Sequence, residues 1–125
     1  MEVTSHDERR LKLELRLAQL EKNETCQKQF LSFVKTIWPS FIQGRHHEII
    51  AEKLERVARG ELKRLIINMA PRHTKSEFAS FLFPAWMMGK NPNMKIIQAT
   101  HTTELAVNFG RKVKNLLDTE EFREV

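Results

Sequence analysis

A single cysteine, Cys26, stands in the 125 residues. One thiol excludes an internal disulfide and fits a reducing compartment. No apolar run reaches the roughly 18 residues that a membrane span requires. The opening Met1-Glu2-Val3-Thr4 lacks the basic-then-apolar pattern of a secretory signal. Histidine is present but not clustered for a metal: His46 and His47 are adjacent, and adjacent side chains diverge on a helix or strand. With one cysteine beside them, a zinc site is not expected. Acidic motifs are scarce as well. The nearest approach to an apolar run ending in Asp-Glu is Leu116-Leu117-Asp118-Thr119-Glu120, which closes a helical pattern instead.

What is present is a chain with 41% hydrophobic and 30% charged residues and a formal net charge of +5. That balance suits one globular domain or a piece of one, and its basic sign is modest support for a polyanionic partner. The central stretch is Leu65-Ile66-Ile67-Asn68-Met69-Ala70-Pro71-Arg72-His73-Thr74-Lys75-Ser76. An apolar run ends, a turn carries Arg, His and Lys, and Lys-Ser opens a helix. This is the layout of a phosphate-binding loop. A helix start directs unpaired N–H groups and a positive dipole end at an anion. Lysine reaches the outer phosphates and the serine hydroxyl holds Mg²⁺. In the usual pattern, G-x-x-x-x-G-K-[ST], glycines occupy two positions that here hold Met69 and Thr74. Read by itself, Lys-Ser also fits a basic surface loop between a strand and a helix.

Pro71-Arg72-His73-Thr74-Lys75-Ser76-Glu77, then Phe83-Pro84-Ala85-Trp86, Gly89 and Asn91-Pro92, resembles the ATPase motor of tailed-phage terminase large subunits. In that family the loop often reads P-P-R-H-G-K-S-E, followed by F-P-A-W. Ala70 and Thr74 depart from it. The likeness runs from about Trp38 to Phe122. It implies ATP and Mg²⁺ as cofactors, with Lys75 on the β- and γ-phosphates and Ser76 on the metal. It also implies main-chain N–H groups of His73, Thr74 and Lys75 around the phosphate oxygens. Arg72 has two readings, an arginine finger on the transferring phosphoryl group or a salt bridge or DNA contact. Gln43 likewise reads adenine, since an amide both donates and accepts, or faces solvent in a loop. The implied partners are double-stranded DNA, the portal protein, the small terminase subunit and further copies of the chain in a ring. The implied location is the host cytoplasm.

The fold expected is α/β, a partial P-loop parallel sheet with flanking helices and an N-terminal helical extension. Residues 1–24 form that charged extension, whose Leu13, Leu17 and Leu20 suit a helix that either caps the domain's own core or docks a partner or neighbouring motor subunit. Residues 25–125 hold the first portion of the ATPase domain. Thr25 caps a helix to about Ile37, and Trp38-Pro39-Ser40-Phe41 is a core corner. A helix beginning near His47 carries Ile50, Leu54, Val57 and Ala58 on one side and stops at Gly60. Leu65–Met69 reads as a buried strand. A helix starts near Ser76 and is broken or kinked by Pro84. Lys90-Asn91-Pro92-Asn93 is a turn, Met94–Ala99 a second strand, and the two strands with their crossover make a β-α-β unit. Thr100-His101-Thr102-Thr103 is either a helix cap through Thr102 or a hydroxyl-rich strand end that contacts DNA phosphates, and Arg111, Lys112 and Lys114 of the last helix either contact DNA or form a solvated basic face.

Without the second acidic motif, the chain is expected to be an incomplete ATPase that turns over ATP poorly alone. The rival readings are another P-loop phosphotransferase, or a basic nucleic-acid-binding fragment without ATP chemistry.

Overall fold

The computed structural model describes residues 5–125. The signal-segment reading of Met1–Thr4 lies outside the described residues. Helix α1 spans Ser5–Lys28, α2 Phe30–Ile37 and α3 Arg45–Ala58. A π-helical segment, Glu77–Leu82, runs directly into α4, Phe83–Lys90. Helix α5, Thr103–Leu117, and a short α6, Glu120–Glu124, complete the chain.

No strand occurs among the described residues, which overturns the expected parallel sheet. A parallel pair needs N–H and C=O groups bonded across a spacing of about 4.8 Å. No backbone hydrogen bond joins Leu65–Met69 to Met94–Ala99. Each segment is held to helices instead. Leu65, Ile67 and Met69 pack on the helical core, while Ile66 between them is 86% exposed and Ile97 is 96% exposed. A strand inside a parallel sheet has both faces covered. Along Leu65–Met69 alternate side chains meet an apolar face and the others meet water, whereas in Met94–Ala99 only Met94 and Gln98 are part-buried.

The core is helical and aromatic. Phe30, fully buried, meets Phe78 at 5.5 Å and Phe83 at 5.7 Å, both edge to face, and Trp86 at 5.4 Å. Edge-to-face rings set a positive rim against a negative face, which adds to the burial itself. Around them close Cys26, Phe33, Val34, Leu54, Leu82 and Ala85. The Trp86 indole N–H donates to the Cys26 carbonyl at 2.9 Å, so α4 is fixed to the end of α1 by a buried polar contact. The α2 N-terminus has no side-chain cap of its own; Glu55 of α3 accepts from the Phe30 N–H at 2.9 Å. A carboxylate there also faces the positive end of the helix.

Three local expectations change. Thr25 does not cap α2: it lies inside α1 and donates back to the Glu21 carbonyl at 2.9 Å, and Gln29 takes the cap position. The leucines of α1 do not cover the core, since Leu11, Leu13, Leu15, Leu17 and Leu20 are all at least half exposed. Their alternation spreads them around the helix, and Cys26 near its end is what α1 buries. Pro84 does not break its helix, and the distortion expected there takes the form of a change of helix type just before it. Proline cannot bond to the carbonyl four residues back, here Ser80. The preceding turn widens to π geometry, and the Gln98 amide donates to the Ser80 carbonyl at 2.6 Å. The second expected strand thus supplies the bond that proline omits.

Other local signals hold. Gly60 has φ of 77°, a left-handed conformation that glycine adopts without a Cβ penalty. Its N–H bonds to Val57 and that of Glu61 to Arg56, the paired closure of a helix C-terminus. Thr102 accepts from the Leu105 N–H at the start of α5. No helix among the described residues is long and apolar enough to cross a membrane.

Candidate functional site

Met69 leaves the core and the chain turns outward through residues 70–76. Arg72 has φ of 65° and Thr74 of 62°, the two non-glycine residues with positive φ among those described. Pro71, His73 and Lys75 are not in that region, so the sign of φ alternates along the five residues. Alternation of this kind turns successive N–H groups toward one side and makes a concavity that suits an anion. Residues 69–77 line a hollow of about 420 Å³.

A left-handed conformation is costly for a β-branched side chain, because its Cβ crowds the following carbonyl. Thr74 therefore occupies a conformation natural to glycine, at the position where the phosphate-loop pattern has one. Its hydroxyl is held twice, donating to the His73 carbonyl at 2.6 Å and meeting His47 Nε2, also at 2.6 Å. The His47 ring is fixed from its other side. Its Nδ1 accepts from the Gly44 N–H at 2.8 Å, so Nε2 carries the proton and donates to Thr74. His47 is buried against Phe41 at 4.7 Å and Phe78 at 5.1 Å. Burial, and next the positive ends of His46 and His73, hold its pKa below the usual 6.5. The neutral ring that the bonds require is the one this environment favours.

Lys75 and Ser76 start the helix that the π segment continues, and the Phe78 N–H bonds back to the Thr74 carbonyl at 3.0 Å. The first-turn N–H groups have no partner within a helix. Ser76 is exposed and Lys75 half-buried. Neither Lys75 nor Arg72 pairs with a carboxylate among the described residues. An unpaired ammonium, an exposed hydroxyl and free N–H groups beside one hollow form a donor set that fits a phosphate chain and its Mg²⁺. His73 turns its Nδ1–H to the Pro71 carbonyl at 2.9 Å, which braces the loop from outside.

None of the remaining candidates lines the hollow. Gln43 donates to Glu48 at 2.6 Å, within the approach to α3. Lys112 is not a free basic group, since it pairs with Glu77 at 3.3 Å and lies over Phe81 and Phe109. Arg111 and Lys114 are exposed. Sequence reasoning did not reach His47 as a loop partner. It stands 27 positions from Thr74, and no local spacing signals such a contact.

No protein-family model, curated protein or solved structure matches the chain.

Proposed function

We propose that this chain is the ATP-binding part of a tailed-phage terminase large subunit, the motor that drives double-stranded DNA into a procapsid. The observation that carries the reading is the loop from Pro71 to Ser76. Its φ signs alternate, a helix starts at Lys75, and the loop's two longest cations, Arg72 and Lys75, have no carboxylate partner. These are local features, and they need no sheet beneath them.

In this reading Lys75 neutralises the β- and γ-phosphates, and main-chain N–H groups of His73, Thr74 and Lys75 surround their oxygens. The Ser76 hydroxyl is the metal ligand. Mg²⁺, when bound, supplies charge neutralisation at the phosphates. Arg72 faces solvent beside the hollow and stabilises charge on the γ-phosphoryl. Gln43 reads the adenine edge once released from Glu48. The full motor acts in the host cytoplasm as a ring, with DNA, the portal and the small terminase subunit as partners.

The test is a titration with Mg-ATP, in wild-type chain and in Lys75→Ala. The reading expects saturable binding that weakens at least about ten-fold in the variant, a loss of about 1.4 kcal/mol. Equal binding in both, or none in either, contradicts it. Salt-sensitive DNA binding that ignores both Mg-ATP and Lys75 would instead favour a nucleic-acid module without ATP chemistry.

A further inference from the structure

The loop has a threonine in a glycine's conformation, and a buried histidine from another helix holds that threonine. We infer that His47 is a positioning residue for the phosphate loop, and that its bond to Thr74 does the work a glycine does elsewhere.

Thr74 reaches φ of 62° against the preference of its Cβ. Without an external partner, the residue is free to relax to negative φ, which would reverse the direction of the neighbouring N–H groups. His47 opposes that relaxation. Its Nε2–H meets the Thr74 hydroxyl at 2.6 Å, while the Gly44 N–H and the rings of Phe41 and Phe78 fix its own orientation. Phe78 in turn touches Phe30 at the centre of the core and donates its N–H to the Thr74 carbonyl. Core, histidine and loop are therefore one connected set. A glycine at position 74 would adopt the same φ without strain and would need no such partner. The two devices are alternatives, and this makes a specific prediction about their coupling.

The inference rests on the reading of the loop as a phosphate site, so the experiment separates the two. Mg-ATP affinity is measured in the full chain for wild type, His47→Ala, His47→Gln, Thr74→Gly and the double variant His47→Ala/Thr74→Gly. His47→Ala is expected to weaken binding about ten-fold or more. His47→Gln, whose amide accepts at one atom and donates at the other, restores most of that loss. In the Thr74→Gly background, adding His47→Ala costs little further. An equal loss on removing His47 with Thr74 or with Gly at position 74 overturns the inference, because His47 would then matter only as packing. Should His47→Ala fail to fold, Thr74→Val serves: it must bind more weakly than Thr74→Gly, and equal affinities overturn the inference.

If wild-type chain binds no Mg-ATP, the phosphate reading fails. The latch is then read without ligand from the ¹⁵N spectrum of the His47 ring. A protonated Nε2 whose proton exchanges slowly, and is lost to fast exchange in Thr74→Val, supports it. A ring unchanged by that substitution overturns it.

Discussion

The aromatic core and the loop side of the molecule use the same kinds of residue to opposite ends. In the core, Phe30, Phe78, Phe83 and Trp86 bury their faces on one another, and the polar groups that enter are paired, as Trp86 is with Cys26. On the loop side, Ile66 stands in water, and Arg72 and Thr74 occupy backbone conformations that neither side chain favours. The core gains stability from nearly every side chain it contains. The loop side departs from that rule at the positions where phosphate chemistry would need open N–H groups and unpaired cations. Among the described residues, positive φ at a non-glycine position occurs in this loop and nowhere else, and backbone strain of that kind is where a functional site is expected.

Substitutions in the two regions should therefore differ sharply. Phe30→Ala is expected to have the largest effect, a loss of about 3–5 kcal/mol in denaturant unfolding, because it empties the point where four rings meet. A loss under about 1 kcal/mol would break the comparison, since the core would then be no more committed than the loop side. Trp86→Phe keeps most of the ring but leaves the buried Cys26 carbonyl without its donor. About 1–3 kcal/mol should be lost, read in the same unfolding experiment. Away from the core, Ile66→Ser and Ile97→Ser should each change stability by no more than about 0.5 kcal/mol. Larger losses would mean that these segments are covered in the folded chain.

The smallest expected effect is a pH dependence from His47. Its pKa is held below 6.5 in the folded state, chiefly by burial. Protonation therefore favours the unfolded chain. Well above pH 6.5 both states carry the ring neutral and it adds no slope; as the pH falls toward and below 6.5 the unfolded state takes the proton first and stability declines. His47→Gln should flatten this part of the profile below about pH 6.5 in thermal unfolding. An identical slope in the variant would assign the effect to other groups.

Much of the helical framework was legible in the sequence. Gly60 stopped α3 because the left-handed residue after a helix is most often glycine. Thr102 capped α5 because its hydroxyl accepts a first-turn N–H. Such signals act over three or four residues, and nothing distant overrides them. The sheet was misread because an apolar run states only that side chains seek cover. Leu65–Met69 finds cover for alternate residues on helices, and a strand requires a bonded neighbour that no run of side chains supplies. Thr25 and the leucines of α1 failed for a related reason. The helix simply continued past the cap residue to Lys28, and its leucines were spread around the axis. At the loop, the helix start at Lys75-Ser76 was legible from the motif, whereas the His47–Thr74 contact arises only from the fold.

The measurement that bears most directly on the account is amide chemical-shift mapping of the ¹⁵N-labelled chain as Mg-ATP is added. The account predicts shifts centred on Arg72, His73, Thr74, Lys75 and Ser76, extending to His47, and lost in Lys75→Ala. Shifts absent from that loop, or centred on exposed basic residues such as Arg111 and Lys114, would contradict it.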